Sequence, residues 1–231
     1  MTGWPGAVVP ELAAAVADLL DVADRQPERP GVLPVVQAGD PVLRRTAAPY
    51  TGQLGDVLPR LLEAMRRTMH AAPGVGLAAP QIGIGLAIAV CEDAGVPDDP
   101  RDRGPLPYRV LVNPRYEPVG EDAPAPDGTD AGDAAFYEGC LSVAGWQAVV
   151  ARPRHVRLTC RDEHGAPVQE VLSGWPARIV QHETDHLAGR LYLDRAETRS
   201  LATTENLLRH FGADPDPGRA ARALGFELPD R

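Results

Sequence analysis

At 231 residues, 44% of them hydrophobic, the chain can bury one ordinary core and still have length left for surface extensions. A formal charge of −9, from 32 acidic against 23 basic residues, works against extended contact with a phosphate backbone and so against a nucleic-acid substrate. Schiff-base chemistry is excluded because the chain has no Lys, and three cysteines, Cys91, Cys140 and Cys160, are too few and too odd for a disulfide framework.

Taken in chain order, residues 11–24 alternate apolar and acidic positions at helical spacing, but prolines surround them and set them apart as an extension. Residues 1–30 also lack the basic and apolar regions of a secretory signal. A second helix is predicted over 54–71, where Leu58, Leu61, Leu62, Met65 and Met69 form one apolar stripe; Pro73 and Gly74 end it. Residues 86–91 and 109–113 read as strands, and the acidic, Pro-rich segments 92–107 and 118–133 read as surface loops or disordered insertions. Strand composition returns at 147–151, 155–161 and 168–172, with a hairpin turn at 162–165. Ser173 is placed to cap a following helix and Gly189 to close it. A last helix is expected over 198–211, then a mobile tail. No apolar run reaches membrane-span length, so the expectation is a soluble, cytoplasmic protein. Strands followed by helices without regular β-α-β alternation predict an α+β fold, divided into an extension at 1–31, a catalytic domain at 32–197 and a C-terminal helix and tail at 198–231.

The predicted helix after Ser173 carries Gln181-His182-Glu183-Thr184-Asp185-His186-Leu187. Two imidazoles four residues apart stack on one helix face, where both can ligate one metal ion, and the adjacent Glu can act on a water there. With this composition the pattern arises by chance about once in a hundred such chains. A catalytic site of this kind needs a third protein ligand and an open position. Tyr192 stands where one protease class has a downstream His. Glu205 is a candidate for the zincin-type metallopeptidase reading, in which a later Glu completes the site. Cys140, flanked by Gly139 and Ser142 in what reads as a tight turn rather than a strand interior, fits the requirement better. A thiolate with two neutral imidazoles suits Fe(II), Co(II), Ni(II) or Zn(II).

Three ordered motifs then give the chain a resemblance to peptide deformylases: Gly74-Val75-Gly76-Leu77-Ala78-Ala79-Pro80-Gln81, Glu138-Gly139-Cys140-Leu141-Ser142, and the helix motif at 181–187. The upstream stretch Gly39-Asp40-Pro41-Val42-Leu43-Arg44 also resembles the family's N-terminal signature. The likeness spans about 33–195, and 143–151 with 173–192 look closest to the actinobacterial and organellar branch.

That resemblance implies small antiparallel or mixed sheets packed around a central metal-binding helix. It implies a bacterial cytoplasmic enzyme that removes the formyl group from N-formylmethionyl peptides and nascent chains, releasing formate, with transient ribosome association. One divalent transition metal, Fe2+ as the expected ion with Zn2+, Ni2+ or Co2+ as alternatives, would be held by Cys140, His182 and His186. Glu183 would be the general base. The Gln81 amide and the Leu141 backbone N–H would face the oxyanion. Gly76 and Gly139, lacking Cβ, would let a substrate backbone approach. Val75, Phe136, Trp175 and Ile179 flank the motifs and are the candidates for a methionine pocket, with Gln181 and Asp185 orienting the ligands.

Overall fold

The computed structural model of the protein describes residues 3–119, 132–212 and 214–228. Its elements are α1 (Pro10–Asp24), α2 (Leu58–Ala71), β1 (Gly76–Ala78), β2 (Ile88–Asp93), β3 (Leu106–Pro118), β4 (Asp133–Cys140), β5 (Val143–Pro153), β6 (His155–Arg161), β7 (Pro167–Ser173), α3 (Gly174–Leu187), β8 (Ala202–Thr203), α4 (Thr204–Phe211) and α5 (Gly218–Leu224). A five-stranded sheet runs β1-β2-β3-β6-β7 and a three-stranded sheet runs β4-β5-β8, every pair antiparallel.

Side chains alternate across a strand, and this period of two divides the core. Ile88, Val90, Val110 and Val112 face α1 and α2, meeting Leu20, Leu61 and Met65. Ala89, Cys91 and Leu111 face the other way, onto Ala177, Ile179, Val180 and Leu187 of α3. On its far side α3 meets the three-stranded sheet, where Arg178 donates to the Val150 and Ala134 carbonyls. The central helix is therefore held between the two sheets, as the α+β reading implied.

The structure changes or completes several of these expectations. Residues 134–140, for which the sequence offered no strand, form β4 together with Asp133; the strand ends at Cys140 and turns through Leu141 and Ser142 into β5. Most of the other predicted loop at 118–133 lies outside the described residues. The predicted helix at 198–211 begins only at Thr204, capped by the Thr203 hydroxyl, because 202–203 pairs with β5. The tail carries α5, whose Ala220 and Ala221, followed by Phe226, pack on Val149 and Tyr137. Ser173 does occupy the position before α3, but its hydroxyl pairs with His155 Nδ1 at 2.9 Å instead of capping the helix. Helix α1, expected as an extension either docked or loose, is docked: it shares the first core cluster with α2. No helix among the described residues is long and apolar enough to cross a membrane.

Candidate metal centre and active site

Trp175, Arg178, Ile179, His182 and Glu183 recur on α3 at the spacing that keeps residues on one face, and all line a single cavity of about 650 Å³. The β4–β5 hairpin crosses that stripe. Its register jumps from Gly139↔Gln147 to Cys140↔Val143, so 144–146 bulge outward with Gly145 at φ +80°. Bulges re-aim side chains beside sites; this one brings Trp146 to the cavity rim.

The Cys140 sulfur and the ligating nitrogens of His182 and His186 all lie within 4.8 Å of one another, with Cys140 Sγ 3.2 Å from His186 Nε2. The Glu138 carboxylate lies 3.1 Å from His182 Nδ1, which turns the opposite nitrogen of that ring toward the cluster. One thiolate and two imidazoles, converging on a cavity with an open side, fit a divalent transition metal. Glu205 is not part of it: that residue lies exposed on α4, paired with Arg209. Tyr192 is buried, its hydroxyl donating to the Trp146 carbonyl at 3.0 Å and its ring stacked 6.3 Å from His182.

Behind the ligands lies a knot of buried charge. Glu138 accepts from Arg152 Nε at 2.7 Å and Nη2 at 3.1 Å and from Arg178 Nη1 at 2.5 Å. Arg152 Nη1 reaches Asp185 Oδ2 at 2.7 Å, and Tyr116 donates to Asp185 Oδ1 at 3.2 Å. Burial by itself would push the Glu138 carboxyl upward; Arg152, the His182 hydrogen bond and Arg178 outweigh it and hold the group well below the carboxylate range. Gln181 donates to the Pro153 carbonyl at 2.9 Å, tying the helix to the end of β5.

Glu183 stands apart from that knot. Its Oε2 is buried with no hydrogen-bond partner among the described residues, and burial pushes its carboxyl up to about 7 against the opposing pull of His182 and Arg152. Gly76 makes room for it. A methyl group on Gly76 would sit 2.5 Å from Glu183 Cδ and 2.8 Å from Cγ, and closer still to Oε1. The missing Cβ therefore has a use beside the backbone approach expected of it: it leaves space for the carboxylate. Gly139 is tight as well, its absent Cβ 3.3 Å from Gln147 Cγ of the paired strand.

Gln81 is buried, and its Oε1 accepts from the Ala78 N–H at 2.8 Å. That leaves Nε2 facing Cys140 Sγ at 3.4 Å and Ser142 Oγ at 3.3 Å. The Leu141 carbonyl is held at 3.0 Å by Gln37, beside the Ala38 N–H to Ser142 carbonyl bond at 2.7 Å. Val75, Gly76, Gly139, Leu141, Trp175 and Ile179 line the cavity. Phe136 does not: it points from β4 to the outer side of Trp175, ring centroids 6.5 Å apart. Sequence reasoning missed Glu138, Arg152, Arg178, Gln37, Arg101 and Trp146. Only Glu138, inside a motif, carried a signal.

Residues 32–201 match the family described as Polypeptide deformylase. The chain is 60% identical over 227 residues to peptide deformylase 3 of Streptomyces avermitilis, covering 96% of each. The chain belongs to the peptide deformylase family. Solved deformylases share the fold. The Acinetobacter baumannii enzyme with Met-Ala-Ser bound is 34% identical with a TM-score of 0.61, over 71% of this chain and 98% of that one. The Synechococcus elongatus enzyme in complex with actinonin is 32% identical with a TM-score of 0.59, over 89% and 92%. As a deformylase, the protein is a metal-dependent hydrolase that removes the N-terminal formyl group from nascent polypeptides, and the zincin-type alternative falls with Glu205.

Proposed function

We propose that Cys140, His182 and His186 hold the catalytic ion, Fe2+ in the cell, and that Glu183 is the proton carrier of the deformylation. The observation that carries this reading is the unpaired, buried Glu183 oxygen beside the only three-residue Cys/His cluster among the described residues. When bound, the ion supplies Lewis-acid polarisation of water and of the formyl oxygen. Glu183 accepts a proton from the attacking water and returns it to the amine nitrogen as the C–N bond breaks and formate leaves. Burial raises the pKa of this carboxyl, which favours its taking up the proton before returning it. Gln81 Nε2 and the Leu141 N–H donate to the oxygen that gains charge in the tetrahedral intermediate.

Strand β1 is the edge of its sheet, and Gly74, Val75 and Gly76 line the cavity. An extended formyl-methionyl chain pairs there and with the Gly139 end of β4 by strand addition, a mode consistent with the Met-Ala-Ser peptide bound to the Acinetobacter relative. The methionine side chain runs along α3 between Val75, Ile179 and Trp175. The enzyme works in the cytoplasm on chains emerging from the ribosome, which it meets transiently.

Protein loaded anaerobically with Fe(II) is expected to release formate from a formyl-Met peptide. Glu183→Gln should abolish release while the metal content, and the thiolate charge-transfer band of a Co(II)-loaded sample, stay as in the parent. Cys140→Ser should lose that band. No formate from the parent with any divalent ion would overturn the assignment. In air the Fe(II) form should inactivate by oxidation of the ion or of Cys140, and air-stable activity with verified iron content would remove Fe2+ from the reading.

A further inference from the structure

The segment between β2 and β3, read from sequence as a surface loop or disordered insertion, is pressed against the start of α3. Arg103 pairs with Asp93 at 2.7 and 3.0 Å, closing the base of the segment. The Asp102 carbonyl accepts from the Trp175 N–H at 3.0 Å. Gly174 has φ +61°, and a Cβ there would lie 2.5 Å from that same carbonyl oxygen. At the tip, Asp99 grips Arg101 through Nε at 2.8 Å and Nη2 at 2.6 Å and also accepts its backbone N–H at 2.9 Å. The guanidinium so fixed lies over the Trp175 ring, Cζ 4.6 Å from the centroid.

Two hollows meet at this side chain. Arg101 lines the catalytic cavity beyond Trp175, and with Pro100, Phe136 and Arg178 it lines a second hollow on its other side. Arg101 and Arg178 both border the two hollows, and Arg101 is the one stacked on Trp175. Trp175 stands seven residues before His182, two turns or roughly 10 Å along the helix. A side chain that follows the α3 stripe away from the metal ligands therefore runs toward Arg101.

We propose that Arg101 is a specificity-determining residue that closes the far end of the side-chain pocket and sets the longest N-terminal side chain the enzyme accepts. This rests on the deformylase site described above. A guanidinium is planar and weakly hydrated, so its face completes an apolar wall while its edge stays bonded to a carboxylate. A longer side chain could advance only by unstacking it from Trp175 and breaking both hydrogen bonds to Asp99.

The test uses the metal-loaded full-length enzyme with formyl peptides whose first residue carries an unbranched alkyl side chain. The series starts at norleucine, the length of methionine, and lengthens by one methylene at a time. For the parent, kcat/KM should fall about tenfold or more at the first added methylene, the range over which a closed pocket discriminates by one such group. In Arg101→Ala the same step should cost less than about threefold, because removal of the guanidinium opens the far end of the pocket. Asp99→Asn, which keeps the guanidinium but weakens its grip, should fall between them. Identical length profiles for the parent and both variants would overturn the proposal, as would an equal relaxation in the remote Arg60→Ala. If Arg101→Ala fails to fold by circular dichroism, Arg101→Lys decides, since an ammonium on a flexible stem cannot form the planar wall. Absence of formate from the norleucine substrate in the parent would instead break the catalytic assignment, an outcome separate from any change in the length profile.

Discussion

Two arginines in this protein do the same thing in opposite surroundings. Arg60 on α2 bridges Asp21 and Asp24 of α1 at 2.8 Å each, and Arg152 on β5 bridges Glu138 and Asp185 at 2.7 Å each. The side chain of Arg60 is 48% exposed and that of Arg152 is 1% exposed. Equal distances do not mean equal roles. Water screens the first trio, and each of its members would be content alone. In the second, desolvation makes every charge depend on its partners, so the three hold one arrangement, and that arrangement aims His182 at the cluster.

Removing the buried member is the hardest test of that contrast. Arg152→Met should cost about 3–5 kcal/mol in urea unfolding, because Glu138 and Asp185 are left without their shared cation. A loss below about 1 kcal/mol would erase the distinction between the two trios. Next comes an uncharged position under the same confinement. Gly76→Ala should lower kcat by about a hundredfold or more by displacing Glu183 from its place, with metal content and the far-ultraviolet spectrum preserved; near-parent kcat would mean that the carboxylate has room the structure denies it. Between the extremes lies Asp99, whose carboxyl the Arg101 hydrogen bonds hold down to about 2. A depressed carboxyl stabilises the folded form above its unfolded pKa of about 4 and loses that contribution as pH falls toward 2. The Trp175 environment, followed by fluorescence, should therefore change over that acid window in the parent and not in Asp99→Asn. The smallest effect belongs to Arg60→Ala, which should leave Tm and kcat within experimental scatter, and a Tm drop comparable to that of Arg152→Met would contradict the comparison.

The parts legible in the sequence are those with a strong local period. Helix α2 shows its apolar stripe, and α3 carries His182, Glu183 and His186 within a single five-residue motif, so its ends and the side chains it brings to the cluster could be read. Strand β4 could not. Asp133, Ala134, Ala135, Phe136, Tyr137, Glu138, Gly139 and Cys140 show no alternation because both faces are covered, one by buried arginines of α3 and β5, the other by α5 and Phe226. The α5 helix was hidden for a related reason: it docks through alanines, small residues that leave little contrast in the sequence. Tertiary partners were the other blind spot. Gly76 and Glu183 lie 107 positions apart, and nothing local says that one vacates space for the other. Phe136 erred through its place along the strand: Glu138 and Cys140 share its face and line the cavity, while Phe136, nearer the start of β4, meets the outer side of Trp175.

The buried knot also bears on how the enzyme acquires its ion. Glu138, Arg152, Arg178 and Asp185 satisfy one another through groups that need no metal, so the scaffold that aims the ligands is finished when the chain has folded. In small zinc domains folding and loading are one event; here they are separable steps. Chelated protein should keep its cooperative unfolding transition and regain activity on adding Fe(II), with no passage through the unfolded chain. Which ion the enzyme carries then becomes a matter of exchange and supply acting on a finished protein.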